Sequence, residues 1–224
     1  MNATLSAGTP SAVPTPVDPP AAVPAVVRVT IALSGAFLAG VLTSFGQAVP
    51  ALAAVSNSAG PWFLVAALLC LVAGVRGGRV ALPLAMVLGV VLLELMHVGY
   101  WAATVLRGFP DVLSITNPWV LLGVPAGLLA GAAAVAVRSR DARWRAGALG
   151  VTAAVLVGEG IRGLLQVAVT TGHVTWVVEI VVGVALLGIG VLGTRSPVGR
   201  VVALGTGVVG TVAVLGAYLV LGGS

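Results

Sequence analysis

The stretch Val80–Leu106 reads VALPLAMVLGVVLLELMHVGYWAATVL and decides the fold. Its 27 residues are almost all apolar, and its only charged or imidazole side chains are Glu94 and His97. A helix rises 1.5 Å per residue, and about 20 apolar residues cross the hydrocarbon core of a bilayer. The stretch therefore predicts a transmembrane helix.

The rest of the chain has the same apolar character. Hydrophobic residues make up 59% of the 224 residues, charged residues make up 8%, and the mean hydropathy is +1.15. Soluble domains carry roughly 25% charged residues, so this composition excludes an ordinary soluble fold. The sequence predicts an all-α, polytopic transmembrane bundle of about seven spans. The predicted spans are Val29–Gln47, Ala59–Val75, Val80–Leu106, Trp119–Val137, Ala146–Thr170, Val174–Gly193 and Val201–Leu221.

Two segments fall outside these spans. Residues 1–25 hold six prolines and one charged residue, Asp18, and they lack the basic start of a signal peptide. We expect them to form a disordered, Pro-rich cytoplasmic tail ahead of a transmembrane domain over 26–224. The uncharged segment 48–58 either extends the second span, as a re-entrant piece, or lies in the membrane interface.

The arginines predict the orientation. All eleven basic residues are arginines. Nine of them fall in gaps on one side, the opposite gaps contain only Arg107, and Arg162 lies within a span. The positive-inside rule predicts a bacterial plasma-membrane protein with a cytoplasmic N-terminus and an extracytoplasmic C-terminus. The net charge of +5 therefore indicates topology, and no nucleic-acid partner.

An internal repeat is one interpretation of the spacing. Trp62, Trp119 and Trp176 are 57 residues apart, and each begins a predicted span. This spacing predicts three helical hairpins after a lone first helix. The alternative is that tryptophan favours membrane interfaces and that helices of similar composition align by chance.

Polar residues recur on one face of two spans. Glu94, His97 and Trp101 have the spacing i, i+3, i+7, which places them on one helical face. An ionisable group at mid-bilayer costs roughly 2.5–3.5 kcal/mol, and such groups usually mark function. The fifth span repeats the pattern with Glu159, Arg162 and Gln166.

Further polar residues place the predicted site toward the outer surface. Glu179 and Gln47 lie in the outer halves of their spans. We expect an ion pair between Glu159 and Arg162, which leaves Glu94 and Glu179 to share His97, bind a cation or hold protons. The leading hypothesis is a small-molecule permease or ligand-binding membrane protein with an outward-facing polar pocket, in contact with the lipid bilayer and with a small molecule or protons.

Two alternatives remain open. Buried polar residues can simply fix helix packing, which would make the chain a structural or accessory subunit. Gly123, Gly127 and Gly131 predict a close-packing face for a helix of this chain, of a second copy or of a membrane partner. The other alternative is an intramembrane enzyme, but around Glu159 the motif of CAAX-type proteases is not matched, so we expect no enzyme activity. We also expect no cofactor and no metal site.

One family resemblance fits these observations. The segment Gly40–Gln47 reads GVLTSFGQ, and the segment Asn57–Trp62 reads NSAGPW. Together they resemble a family of small multi-pass membrane proteins from actinobacteria, catalogued as a domain of unknown function. The resemblance covers most of the chain after the tail. It implies a membrane location and a helical fold, and it implies no mechanism.

Overall fold

The computed structural model describes residues 23–77 and 79–221, and within them all regular structure is helical. The predicted disordered tail lies almost wholly outside the described residues. The helices are α1 Ala25–Gly46, α2 Pro50–Ser56, α3 Ala59–Ala73, α4 Ala81–Leu106, α5 Pro118–Ala136, α6 Ala142–Gln166, α7 Ala168–Thr171, α8 Val174–Leu192 and α9 Pro197–Leu221.

The helices confirm the polytopic all-α fold. Six of them (α1, α4, α5, α6, α8 and α9) are long and apolar enough to cross a membrane. The remaining predicted span, Ala59–Val75, corresponds to part of a bent pair, in which α2 meets α3 at an angle of 69°. Helix α3 has 15 residues, about 22 Å, which is short for a core about 30 Å thick. The segment 48–58 therefore contributes a helix of its own at the bend.

The fifth span begins and ends earlier than predicted. Helix α6 begins at Ala142, where the side chain of Asp141 accepts a hydrogen bond from the amide of Arg143 at 2.8 Å. It ends at Gln166, and the separate turn α7 occupies the rest of the predicted run. The residues that follow Gln166 are uncharged and continue the run, so its hydropathy does not show where the helix breaks.

Two central helices organise the packing. Helix α4 packs most extensively against α1 and α5, and α6 packs most extensively against α8 and α9. Helices α3 and α5 connect the two groups, because both also contact α6. The main apolar cluster is centred on Phe63, Leu92 and Met96. The hairpins of the predicted repeat (α3 with α4, α5 with α6, and α8 with α9) are thus not the main packing pairs.

The three tryptophans of the predicted repeat occupy different environments. Each lies in the first four residues of its helix, α3, α5 or α8. Trp176 is 1% exposed, whereas Trp119 is 45% exposed. The indole of Trp176 lies against Gly163 and donates a hydrogen bond to Thr171 at 3.0 Å. Trp176 is therefore a core residue, and the repeat stays a prediction.

Glycines let α4 and α5 approach each other closely. A Cβ on Gly127 would lie 2.5 Å from Cα of Val90, and a Cβ on Gly131 would overlap the carbonyl oxygen of Ala85. Such approach is the usual role of small residues in membrane helices. Gly127 and Gly131 therefore form the predicted packing face, and their partner is α4 of the same chain.

This packing predicts different effects for two matched substitutions. Gly127→Ala should lower the thermal unfolding midpoint in detergent, because overpacking of a tight contact costs about 1–3 kcal/mol. The control is Gly188→Ala in α8, where an added Cβ meets no atom within 4 Å. That variant should be as stable as the unsubstituted protein or slightly more stable, because alanine favours helix. Equal midpoints for the two variants would contradict the packing.

Candidate functional site

A cavity of about 780 Å³ lies at the arginine-poor end of the bundle. This is the end at which α1, α4, α6 and α9 finish and α3, α5 and α8 begin. The cavity lies between the two helix groups, and its walls come from the α2–α3 bend, α4, α5, α6, α9 and the connection between α4 and α5. Its polar and aromatic lining includes Gln47, Asn57, Ser58, Trp62, Glu94, His97, Tyr100, Thr104, Asp111, Asn117, Trp119, Glu159 and Tyr218.

Glu159 is the most deeply buried ionisable group of the lining. It is 1% exposed, and its Oε1 accepts a hydrogen bond from Arg162 Nη1 at 3.3 Å, which is the ion pair predicted from the sequence. The same oxygen accepts from the amide of Ala59 at 3.4 Å. Ala59 begins α3, so the positive end of that helix dipole also favours the carboxylate. The second oxygen, Oε2, is buried and has no hydrogen-bond partner in the part of the chain that the structure describes.

Arg162 supports Glu159 from outside the cavity lining. Its guanidinium carbon lies 4.0 Å from the ring centroid of Tyr218 and 5.9 Å from that of Trp119. Its Nε donates to Gln166 Oε1 at 3.2 Å. Neither Arg162 nor Gln166 is among the lining residues, although both were predicted for the pocket. They hold Glu159 and the two rings in place.

Glu179 lies beside Glu159 and not beside His97. It is 6% exposed, it does not line the cavity, and neither of its carboxyl oxygens has a hydrogen-bond partner within residues 23–77 and 79–221. Its carboxyl faces Gly60 in the first turn of α3, where an added Cβ would lie 3.0 Å from Oε2. The first turn of α3 thus occupies the space next to this carboxyl. The cavity lining thus includes Glu94 and His97 but not Glu179, which was predicted to join them in the pocket.

Glu94 projects toward α5, and Gly123 makes room for it. A Cβ on Gly123 would lie 2.5 Å from Glu94 Oε1. This oxygen is buried, and no described residue is its hydrogen-bond partner. Gly123 therefore differs from Gly127 and Gly131, because it faces a carboxyl group and not the backbone of α4.

Three rings form an aromatic cluster, defined by Trp62, His97 and Tyr100. The ring centroid of Trp62 lies 6.4 Å from that of His97 and 6.3 Å from that of Tyr100. The centroids of His97 and Tyr100 are 6.5 Å apart. Trp62 meets both partners edge to face, the arrangement that aromatic pairs prefer. The cluster joins α3 to α4 within the cavity wall.

Trp101 was predicted to share this face, and the structure places it elsewhere. Its indole donates a hydrogen bond at 3.3 Å to the carbonyl of Asp111, in the connection between α4 and α5, and it does not line the cavity. The cavity-facing side of α4 is instead centred on His97, with Glu94 and Tyr100 on either side. A spacing of i+7 places two residues on roughly the same side of a helix, but it does not show which way a large side chain points.

Gln47 lines the cavity and joins three elements through hydrogen bonds. It accepts a hydrogen bond from the hydroxyl of Tyr100 at 2.9 Å and donates one to Asn57 Oδ1 at 2.8 Å. Asn57 in turn donates to the carbonyl of Ala53 at 2.7 Å. These bonds connect α1, α4 and the α2–α3 bend.

Several lining residues were not predicted from the sequence. They include Tyr100 and Tyr218, which are the two tyrosines of the chain, and Trp62. Tyr100 follows His97 by three residues, so the helical spacing could have shown it. Tyr218 is an isolated aromatic near the end of an apolar run, which is equally typical of a residue at the membrane interface.

The described part of the chain brings no three His, Cys, Asp or Glu side chains close enough to hold a metal ion. The lining offers carboxyl, imidazole, hydroxyl and aromatic groups. Such a surface can bind a small molecule through charge, hydrogen bonds and ring contacts.

The pair of Glu159 and Arg162 predicts a rescue by double substitution. Arg162→Gln should lower the thermal unfolding midpoint, because it leaves a buried carboxylate without its cation. Adding Glu159→Gln should restore much of the loss, because the uncompensated charge is then gone. Gln166→Ala serves as the control and should change the midpoint least. If the double variant is as unstable as the sum of the two single variants, Arg162 does not act through Glu159.

The comparisons with known proteins give one match. A family model described as a family of unknown function (DUF6518) matches residues 19–223. No curated protein and no solved structure matches the chain.

Proposed function

The chain belongs to the DUF6518 family of unknown function and is a membrane protein, and from this premise we propose that it is a small-molecule permease or ligand-binding protein. The observation that carries the proposal is the cavity of about 780 Å³ with unpartnered carboxyl oxygens at its wall. Binding sites for small molecules usually measure about 300–1,000 Å³ and combine apolar walls with a few polar groups.

The unpartnered oxygens favour binding over a purely structural role. Polar groups that only fix helix packing are expected to be hydrogen-bonded, because an unpaired polar group in an apolar medium is costly. Here Glu94 Oε1 and Glu159 Oε2 have no partner in the described part of the chain. A ligand, protons or water would satisfy them.

The stripe of Gly123, Gly127 and Gly131 also favours ligand binding over the role of an accessory subunit. An accessory subunit was expected to use this stripe to contact a partner protein. Gly127 and Gly131 instead pack against Val90 and Ala85 of α4. That face is therefore occupied within the chain, and a partner or a second copy would need a different surface. The proposal includes no catalysis, because the nearest enzyme motif, that of CAAX-type proteases, is not matched.

The same proposal assigns an orientation. The arginine-rich end lies in the cytoplasm of a bacterium, the N-terminus with it, and the cavity opens toward the outside of the plasma membrane. At the arginine-rich end, Arg138 donates to the carbonyl of Leu71 at 2.9 Å, and Arg28 lies against Gly74. Both guanidinium groups thus sit at the C-terminal end of α3, where the helix dipole favours cations.

The proposal predicts ligands whose binding depends on open space in the cavity. A thermal-shift screen of the full chain in detergent should find compounds that raise the unfolding midpoint of the unsubstituted protein. Ala213→Trp places a large ring in the lining and should abolish these shifts. The control is Val212→Trp, on the neighbouring residue of α9, which is 65% exposed and outside the lining.

The control variant should keep every ligand response. If no compound gives a shift that Ala213→Trp removes and Val212→Trp keeps, the cavity is not a ligand site. The chain would then be better explained as a structural subunit.

A further inference from the structure

The lining of the cavity is acidic. Glu94, Asp111 and Glu159 line it, and no arginine or lysine of the described residues does so. Arg162, which contacts the lining rings of Tyr218 and Trp119, is already paired with Glu159. Carboxylates in a site of low dielectric constant attract positive charge strongly and repel anions. The charge of the lining thus excludes an anionic ligand and favours a cationic one.

In two of these carboxyl groups, one oxygen is buried and has no hydrogen-bond partner among the described residues. Glu159 is 1% exposed and its Oε2 has no partner, although Oε1 is bound by Arg162 and Ala59. Glu94 Oε1 is also buried and unpartnered, and no guanidinium is bonded to its carboxyl. Glu94 and Asp111 are thus the lining carboxyl groups that pair with no arginine of the described residues, and Glu94 is the one of the two with a buried, unpartnered oxygen.

The rings beside Glu94 suit the same ligand. Glu94 precedes His97 by three residues on α4, so its carboxyl and the aromatic cluster belong to the same wall of the cavity. Cations bind to the faces of aromatic rings, and tryptophan binds them best. Across the cavity, Tyr218 already holds the guanidinium of Arg162, with 4.0 Å from its carbon to the ring centroid. Two aromatic surfaces thus line one cavity, and within the described residues an arginine lies against the ring of Tyr218 but against none of the rings of the aromatic cluster.

We propose that the cavity binds a small organic cation, an alkylammonium or quaternary ammonium compound, between the carboxylate of Glu94 and the aromatic cluster of Trp62, His97 and Tyr100. This inference rests on the proposed ligand-binding function and adds the class of ligand. The ammonium group provides the positive charge that Glu94 lacks, and its alkyl or aryl part packs against the rings. The guanidinium of Arg162 already makes contacts of this kind, with the carboxylate of Glu159 and the rings of Tyr218 and Trp119.

The experiment compares charged and uncharged probes of the same shape. Calorimetry on the full chain in nanodiscs measures the binding of choline and of phenylethylammonium. Each is compared with its uncharged isostere, 3,3-dimethylbutan-1-ol or propylbenzene, and phenylacetate serves as the anionic probe. At least one cation should bind about tenfold or more tightly than its isostere, and phenylacetate should bind least.

Two sets of variants assign the preference to named groups. Glu94→Gln should reduce the ratio of cation to isostere affinity to near one, whereas Asp141→Asn, at the other end of the bundle, should leave it unchanged. Trp62→Leu should weaken cation binding about tenfold, and Trp62→Phe should weaken it less because a ring remains. The tryptophan pair still tests the inference if Glu94→Gln fails to fold.

The outcomes separate this inference from the proposed function. Equal affinity for cations and isosteres, or tighter binding of phenylacetate, would overturn the cation assignment. If the thermal-shift screen at the same time yields ligands that Ala213→Trp abolishes, the cavity remains a ligand site for another class of compound. If neither cations nor screened compounds bind, both the inference and the proposed function fail.

Discussion

The structure depends on keeping two rows of polar side chains away from lipid. An unpaired charge or polar group in hydrocarbon is costly, so the faces that carry Glu94 and Glu159 must point inward. This requirement places α4 and α6 at the centres of their groups, where the other helices surround them. The cavity forms where the two groups meet, because the polar faces of both central helices open onto it.

The helices pack differently at the two ends of the bundle. Toward the arginine-rich end, Gly127 and Gly131 bring α5 into backbone contact with α4, and Gly150 brings α6 against Ala203 of α9. Toward the other end, Gly123 of α5 faces the carboxyl of Glu94 and not the backbone of α4, and the cavity lies between α4, α5, α6 and α9, whereas α1 keeps backbone contact with α4 at Gly99. Glu159 is stabilised there by Arg162 and by the first amide of α3, which fixes α3 between the two groups. One set of helices thus provides a tight half and an open half.

The apolar runs were enough to predict most of the fold, because a bilayer requires long uncharged helices. The bend between α2 and α3 and the break after Gln166 could not be located, since the residues around both are uncharged. The site was predicted in part. Polar residues are conspicuous in an apolar run, so their spacing identified Glu94, His97 and Glu159. It also identified Arg162 as the ion-pair partner of Glu159. It could not show that Trp101 turns to the connection after α4, that Glu179 joins Glu159, or that Tyr218 faces the cavity, because these depend on how distant helices pack.

The most direct test of an acidic cavity open to the outside is thiol modification of Ala126→Cys in a Cys70→Ala background, which otherwise contains no cysteine. Ala126 lies in the middle of α5 and lines the cavity. Membrane-impermeant cationic and anionic methanethiosulfonates are applied to intact cells, and each rate is divided by its rate with a free thiol. The account predicts modification from outside, faster by the cationic reagent, with the difference reduced by Glu94→Gln. Absence of modification, or a faster anionic reaction, would contradict it.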